Sequence, residues 1–301
     1  RRCAMKAGRR LALSLTLVVA SASALGLPME RVAPAALALA LVSGIPHGAY
    51  DLEFLFARGL RHACPLLVMY AGAVAVICLT WTEHAPLFSA AFFAVSVWHF
   101  GEGDLRGLLG LRPTPLAILS RGLAVVGVPI LADWGATRPL VEALTGVSFL
   151  PLVSIEQAAV IAGVLAVQHI VVLALSSVRP REVWESSALM TMLLLAPGLL
   201  GFAVYFGGWH APSHILAVRG RRQSRGVLGR PYPRGLELVV GLAGVAIVGL
   251  GWALASTDGG WSHSDVLASA IVPLAALTLP HALIVECWLG RLPRRPVPNG
   301  S

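Results

Sequence analysis

The sequence predicts an all-α integral membrane protein, a polytopic bundle of about eight to ten transmembrane helices, and three observations carry that prediction. Mean hydropathy is +0.77. Of the 301 residues, 56% are hydrophobic and only 13% charged, against roughly 25% charged in soluble domains. Several apolar runs reach the length, about 20 residues, at which a helix crosses a hydrocarbon core roughly 30 Å thick, and no strand-like alternation suggests a barrel.

In chain order the candidate spans fall at about 10–28, 33–51, 65–81, 87–104, 115–133, 155–177, 183–197, 199–218, 236–256 and 265–289. The first is ambiguous in type. RRCAMKAGRR, then an apolar run, then Ala-Ser-Ala, looks like a signal peptide, whereas the membranous character of everything downstream reads it as a first membrane helix. The least regular stretch is 183–218, where Pro197-Gly198 and Gly207-Gly208 interrupt the apolar run. Eight spans with re-entrant pieces fit it as well as ten. Neither repeats nor a soluble domain are visible, so residues 1–301 form a single integral membrane domain, with one basic loop at 219–234.

The arginines test the count. They cluster at the N-terminus, at Arg58 and Arg61, Arg106 and Arg112, Arg179 and Arg181, 219–234 and 291–295, which are alternate connections. The intervening ones, such as TEHAP and STDGGWSHSD, are neutral or acidic. The positive-inside rule then places both termini in the cytoplasm of a multi-pass cell-membrane protein and favours an even number of spans. The net charge of +8 is spent on topology, and no basic face for nucleic acid is present. Cys3, Cys64, Cys78 and Cys287 show no CxxC pair and read as packing residues.

Any chemistry therefore takes place in or near the bilayer, where an ionisable side chain costs about 2.5 to 3.5 kcal/mol on the lenient insertion scale. Four clusters bear that cost: GIPHGAYD with His47 and Asp51, VWHFGEGD with His99 and Glu102, GGWHAPSH with His210 and His214, and LTLPHALIVE with His281 and Glu286. His210 and His214, at i and i+4, share one helix face and are spaced to chelate one ion. Two satisfied histidines on a polar face look the same in sequence. Pro212 suits the first turn of a helix that begins after Gly207-Gly208. His47 and His99 each have a carboxylate about one turn onward, Asp51 and Glu102, which suggests the partner that a metal-bound imidazole usually holds with its other nitrogen. A plain His–carboxylate tie between helices reads equally well.

Imidazole ligands suit iron, zinc, copper or nickel. With no GxSxG, HExxH, P-loop or dinucleotide-binding fingerprint in the chain, a metal is the evident reactive centre. Tyr50, Trp98, Phe100, Tyr205, Phe206 and Trp209 flank the histidines and could wall a channel for a long apolar polyene, although packing explains such aromatics too. His281 reads as a further ligand, a donor behind the ligands or a tie between helices, the last two favoured, and His169 as an interhelical polar contact. Arg121, inside the fifth span, needs a carboxylate that the sequence does not name.

At PHGAYD, WHFGE, WHAPSH and PHALIVE, in that order and widely separated, the chain resembles the Brp/Blh family of bacterial and archaeal β-carotene 15,15′-dioxygenases, from about residue 40 to 290. The resemblance implies iron, Fe(2+), on His47, His99, His210 and His214. It implies cleavage of the central double bond of β-carotene by O2 into two molecules of retinal, the chromophore of rhodopsins. Asp51, Glu102, His281, Glu286, Tyr50, Trp98 and Trp209 are the expected surroundings of the ion and the substrate. Three other readings compete. A di-iron desaturase would carry about eight histidines in several boxes, and one HxxxH is present. A zinc peptidase or hydrolase would need a glutamate to activate water, for which Glu102 or Glu286 could be offered. A transporter or rhodopsin-associated protein would be expected to show inverted repeats.

Overall fold

The computed structural model describes residues 2–32, 36, 60–107, 113–149, 152–176, 178–215 and 263–290. All regular structure there is helical: α1 (Arg2–Ala24), α2 (Leu60–Gly107), α3 (Pro115–Ala132), α4 (Trp134–Thr145), α5 (Ile155–Leu175), α6 (Pro180–Leu195), α7 (Gly198–Val204) and α8 (His263–Gly290), with a 3₁₀ turn at Met29–Arg31. Among these, Ala63–Arg106, Pro115–Ala132 and Ile155–Leu175 are long and apolar enough to cross a membrane. The protein is an all-α, multi-pass membrane bundle. The expected spans at 33–51 and 236–256, the basic loop at 219–234, and His47, Tyr50 and Asp51 lie outside the described residues.

The 48 residues of α2 would run about 72 Å as one straight helix, more than twice the hydrocarbon thickness. The helix is broken at His84, whose φ of −127° and ψ of 25° are not helical, just before Pro86 removes a backbone donor and crowds the preceding turn. Trp81 Nε1 and Ser89 Oγ, on either side of the break, both donate to the carbonyl of Leu144, at 3.2 and 2.8 Å. Eight residues of straight helix would separate them by about 12 Å. The expected spans at 65–81 and 87–104 are therefore two helical limbs that meet at a kink at His84, within the connection expected at 82–86.

The second limb of α2 touches α3 backbone to backbone. A β-carbon on Gly101 would stand 2.0 Å from the carbonyl oxygen of Ile118, and one on Gly122 would stand 1.8 Å from that of Val97. Only glycine fits at either position, and this use of small residues lets membrane helices approach closely. α3 starts cleanly, with Thr114 capping the amide of Ala117 and Pro115 in the first turn.

α5 shows the membrane pattern from both sides. Ala158, Ala162, Ala166, His169 and Leu173 form its buried stripe, while Val160, Val164, Val167 and Val171 face outward. α1 buries Ala12, Thr16, Val19 and Ala20 and presents Leu11, Leu15 and Val18 outward. It is tied to α6 by Arg9, which pairs with Glu185, itself held by Arg181 at 2.8 Å.

Two features depart from the expected elements. α4, in a stretch with no expected span, is 12 residues long, about 18 Å, too short to cross. It buries Trp134, Thr137, Leu140 and Leu144 and ends on Gly146 at φ 67°, a left-handed cap that suits glycine. Its start is fastened to α7, since the amide of Gly198 donates to Asp133 Oδ2 at 2.8 Å. The second departure is at Gly207-Gly208, where no helix begins. α7 continues through a π-helical turn, Tyr205–His210, and on to residue 215.

Candidate metal centre

The π turn explains how Pro212 fits inside this helix. A proline lacks the amide hydrogen and its ring collides with the carbonyl four residues back. Directly upstream the amide of Ala211 bonds to Phe206, five residues back, and this widened turn makes room. Such turns recur at functional sites. His210 and His214 remain on one face, with ring centroids 6.1 Å apart.

His99, from the second limb of α2, meets them at centroid distances of 5.3 Å to His210 and 5.9 Å to His214. All three are buried, and one ring nitrogen from each lies within 4.8 Å of the others, a group able to chelate a metal ion. Three imidazoles from two helices, buried in an apolar bundle, fit a divalent transition metal by donor type. His281, on α8, stands 5.0 Å from His99 and 5.6 Å from His214 between centroids, as close to both as the three are to one another. Of the three roles the sequence left open for His281, this position is compatible with a further ligand.

Among the described residues, the carboxylate that serves an imidazole is Asp104. Its Oδ1 lies 3.1 Å from His210 Nδ1. Because an ionised carboxylate only accepts, Nδ1 carries the proton and Nε2 is the nitrogen that His210 offers to an ion. Oδ2 accepts from Arg121 Nε and Nη2, both at 2.9 Å, and from the Tyr205 hydroxyl at 3.0 Å. Arg121 thus has the carboxylate it needed. Its Nη1 donates to Ser186 at 3.1 Å and meets His169 Nε2 at 3.3 Å. That contact puts the His169 proton on Nδ1, which lies 3.3 Å from the hydroxyl of Ser120. A buried ion pair is tolerable inside a membrane protein when its remaining hydrogen-bonding positions are filled in this way.

Glu102 is not the partner of His99. It is bound by Arg106, one turn along, at 2.6 Å. Trp98 points outward, 37% exposed, and Trp209 is buried against α1, where its Nε1 donates to Thr16 at 2.9 Å. Neither lines the cavity described below. The side chain of Glu286 lies outside the described ones. Phe100 and Phe206 enclose His210, the first edge-on at 4.6 Å and the second stacked at 6.1 Å.

An apolar cavity of about 160 Å³ opens beside the histidines between α2, α3, α4, α7 and α8, with His99 and His281 in its wall. Phe92, Leu140, Phe202 and Leu274 line it farther along. On α8 its lining extends ten residues, from Ile271 to His281, about 15 Å of helix.

A buried imidazole cluster beside an apolar cavity inside a helical bundle defines a multi-pass membrane protein with a site for a metal ion. Comparison with known proteins gives the family. The sequence profile described as beta-carotene 15,15'-dioxygenase matches residues 38–289, and the chain belongs to that family. It is 25% identical over 263 residues to the beta-carotene 15,15'-dioxygenase of the uncultured marine bacterium 66A03, covering 83% of this chain and 92% of that protein. No solved structure matches.

Proposed function

We propose that the protein cleaves the central 15,15′ double bond of β-carotene with O2 to give two molecules of all-trans-retinal, one oxygen atom ending in each aldehyde. The observation that carries this reading is the imidazole cluster beside an apolar cavity in a membrane helix bundle, with His99 and His281 in the cavity wall. His99, His210 and His214 hold Fe(2+), with His47 and His281 the imidazoles available to complete its coordination. Bound ferrous iron supplies the activation of O2.

The chain's own residues orient and exclude. Asp104 fixes the ring and the tautomer of His210, and Arg121 and Tyr205 fix Asp104. Phe100 and Phe206 keep water from that ring. The cavity holds the polyene beside the histidines and so sets which double bond meets the iron. A hydrolase would need a carboxylate left to activate water. Asp104, the carboxylate bonded to the imidazole cluster, is taken by four donor contacts and is not left for that role.

The arginine distribution places both termini in the cytoplasm, and the retinal released is the chromophore that a retinal-binding rhodopsin takes up. Expression in cells that accumulate β-carotene, with and without iron and oxygen, tests the proposal. Pigment loss with retinal appearing only when both are supplied is expected. Intact pigment beside folded, iron-loaded protein would refute it.

A further inference from the structure

We propose that the hydroxyl of Ser96 is a subsite for the carbonyl oxygen of an aldehyde held in the cavity with its oxygen end toward the histidines. The inference rests on the reading of the cavity as a carotenoid and retinal site, and adds a residue that distinguishes the product from the substrate.

Ser96 lines the cavity one helical turn before His99, so both face the same space. The residue is 2% exposed, and its Oγ has no hydrogen-bond partner among the described residues. A serine or threonine in a membrane helix ordinarily returns its hydrogen to the carbonyl four residues back. Thr80, Thr145, Ser176, Ser187 and Thr278 all do so in this chain.

The comparison within the cavity is sharper. Thr137 and Thr278 also line it, and each donates to a backbone carbonyl, Ile130 and Leu274, at 2.6 and 2.8 Å. Ser96 alone of these three keeps its hydroxyl for the cavity. A buried donor left unmet weakens a fold, and an alanine there would serve packing better. An apolar pocket with one or two placed polar groups is the usual construction of a site that orients its ligand.

The partner follows from position. β-Carotene is a hydrocarbon and offers Ser96 nothing to bond. Cleavage at the histidines creates a carbonyl oxygen beside them, while the ring of the same product lies at the other end of the cavity. The Ser96 hydroxyl donates to that oxygen. Ser96 accordingly strengthens the hold on retinal and leaves the hold on β-carotene unchanged.

The test is equilibrium binding to the full-length protein in lipid nanodiscs, with all-trans-retinal and β-carotene as probes, for wild type, Ser96→Ala and Ser96→Cys. Alanine removes the donor at nearly constant volume, and cysteine keeps a side chain of the same shape, slightly larger, that is a poor donor. Both variants are expected to bind retinal about fivefold more weakly, the worth of one neutral hydrogen bond, and β-carotene equally well. The infrared carbonyl stretch of bound retinal should lie lower in wild type than in either variant. Unchanged retinal affinity and an unchanged stretch would overturn the assignment of Ser96, as would an equal loss for both ligands. If wild type binds neither probe, the carotenoid reading itself falls, and this inference with it.

Discussion

Replacing Asp104 separates two functions of one side chain. Asp104 accepts from His210, twice from Arg121 and from Tyr205, and both charges of the pair are buried. In Asp104→Leu the guanidinium of Arg121 stays buried without its counter-charge, which typically costs about 3 to 5 kcal/mol, a large part of the roughly 5 to 15 kcal/mol that holds a protein folded. In Asp104→Leu/Arg121→Met both charges are gone, and such paired apolar replacements are often close to neutral. The double variant should therefore recover most of the thermal stability lost in the single one. Metal affinity should behave differently. Without the carboxylate that fixes His210, it falls about 10- to 100-fold, and removing Arg121 does nothing to restore it. Thermal unfolding in detergent and competition with a chelator give the two readings on the same preparations. Recovery of metal affinity together with stability in the double variant would refute the account of Asp104 as the group that orients His210.

Other substitutions probe the packing and the cavity. Gly122→Ala forces a β-carbon to within 1.8 Å of the Val97 carbonyl and should destabilise the bundle by at least about 1 to 3 kcal/mol, read as lost expression and a lowered unfolding temperature. Gly163→Ala, with nothing within 4 Å, should show neither. Leu274→Trp fills the cavity away from the histidines, so pigment cleavage should fail by more than tenfold while bound iron, measured by elemental analysis, is unchanged. Trp209→Phe removes the hydrogen bond to Thr16 and should cost about 1 kcal/mol in thermal unfolding without altering the metal content.

What the sequence made legible was local in origin. α3, α5 and α8 follow from hydropathy, which is read along one segment, and the shared face of His210 and His214 follows from a spacing of four residues. α4 stayed hidden because it is short and carries Arg138 and Glu142 among its apolar positions. The doubled glycine at 207–208 looked like a breaker, yet the buried setting of Tyr205, Phe206 and Trp209 keeps the backbone hydrogen-bonded, and Pro212 is absorbed by one widened turn. Asp104 could have been found. It and Arg121 are opposite charges inside two neighbouring spans, and such groups in a membrane pair with one another. Glu102 is nearer to His99 in sequence than Asp104 is to its own partner His210, but spacing along a helix says nothing of Arg106 taking that carboxylate. The approach of His281 to His99 depends on how α8 packs against α2, which no local pattern encodes.

The most direct test couples metal and chemistry in one sample. Protein purified without oxygen, as wild type and as His210→Ala and His214→Ala, is loaded with ferrous iron, given β-carotene and exposed to oxygen, and iron per chain and retinal per iron are measured together. Wild type should hold one iron and form retinal in proportion to it, while the folded variants hold little iron and form none. Retinal from variants that bind no iron, or iron-loaded wild type that leaves β-carotene intact, would contradict the assignment of these histidines to an oxygen-activating iron site.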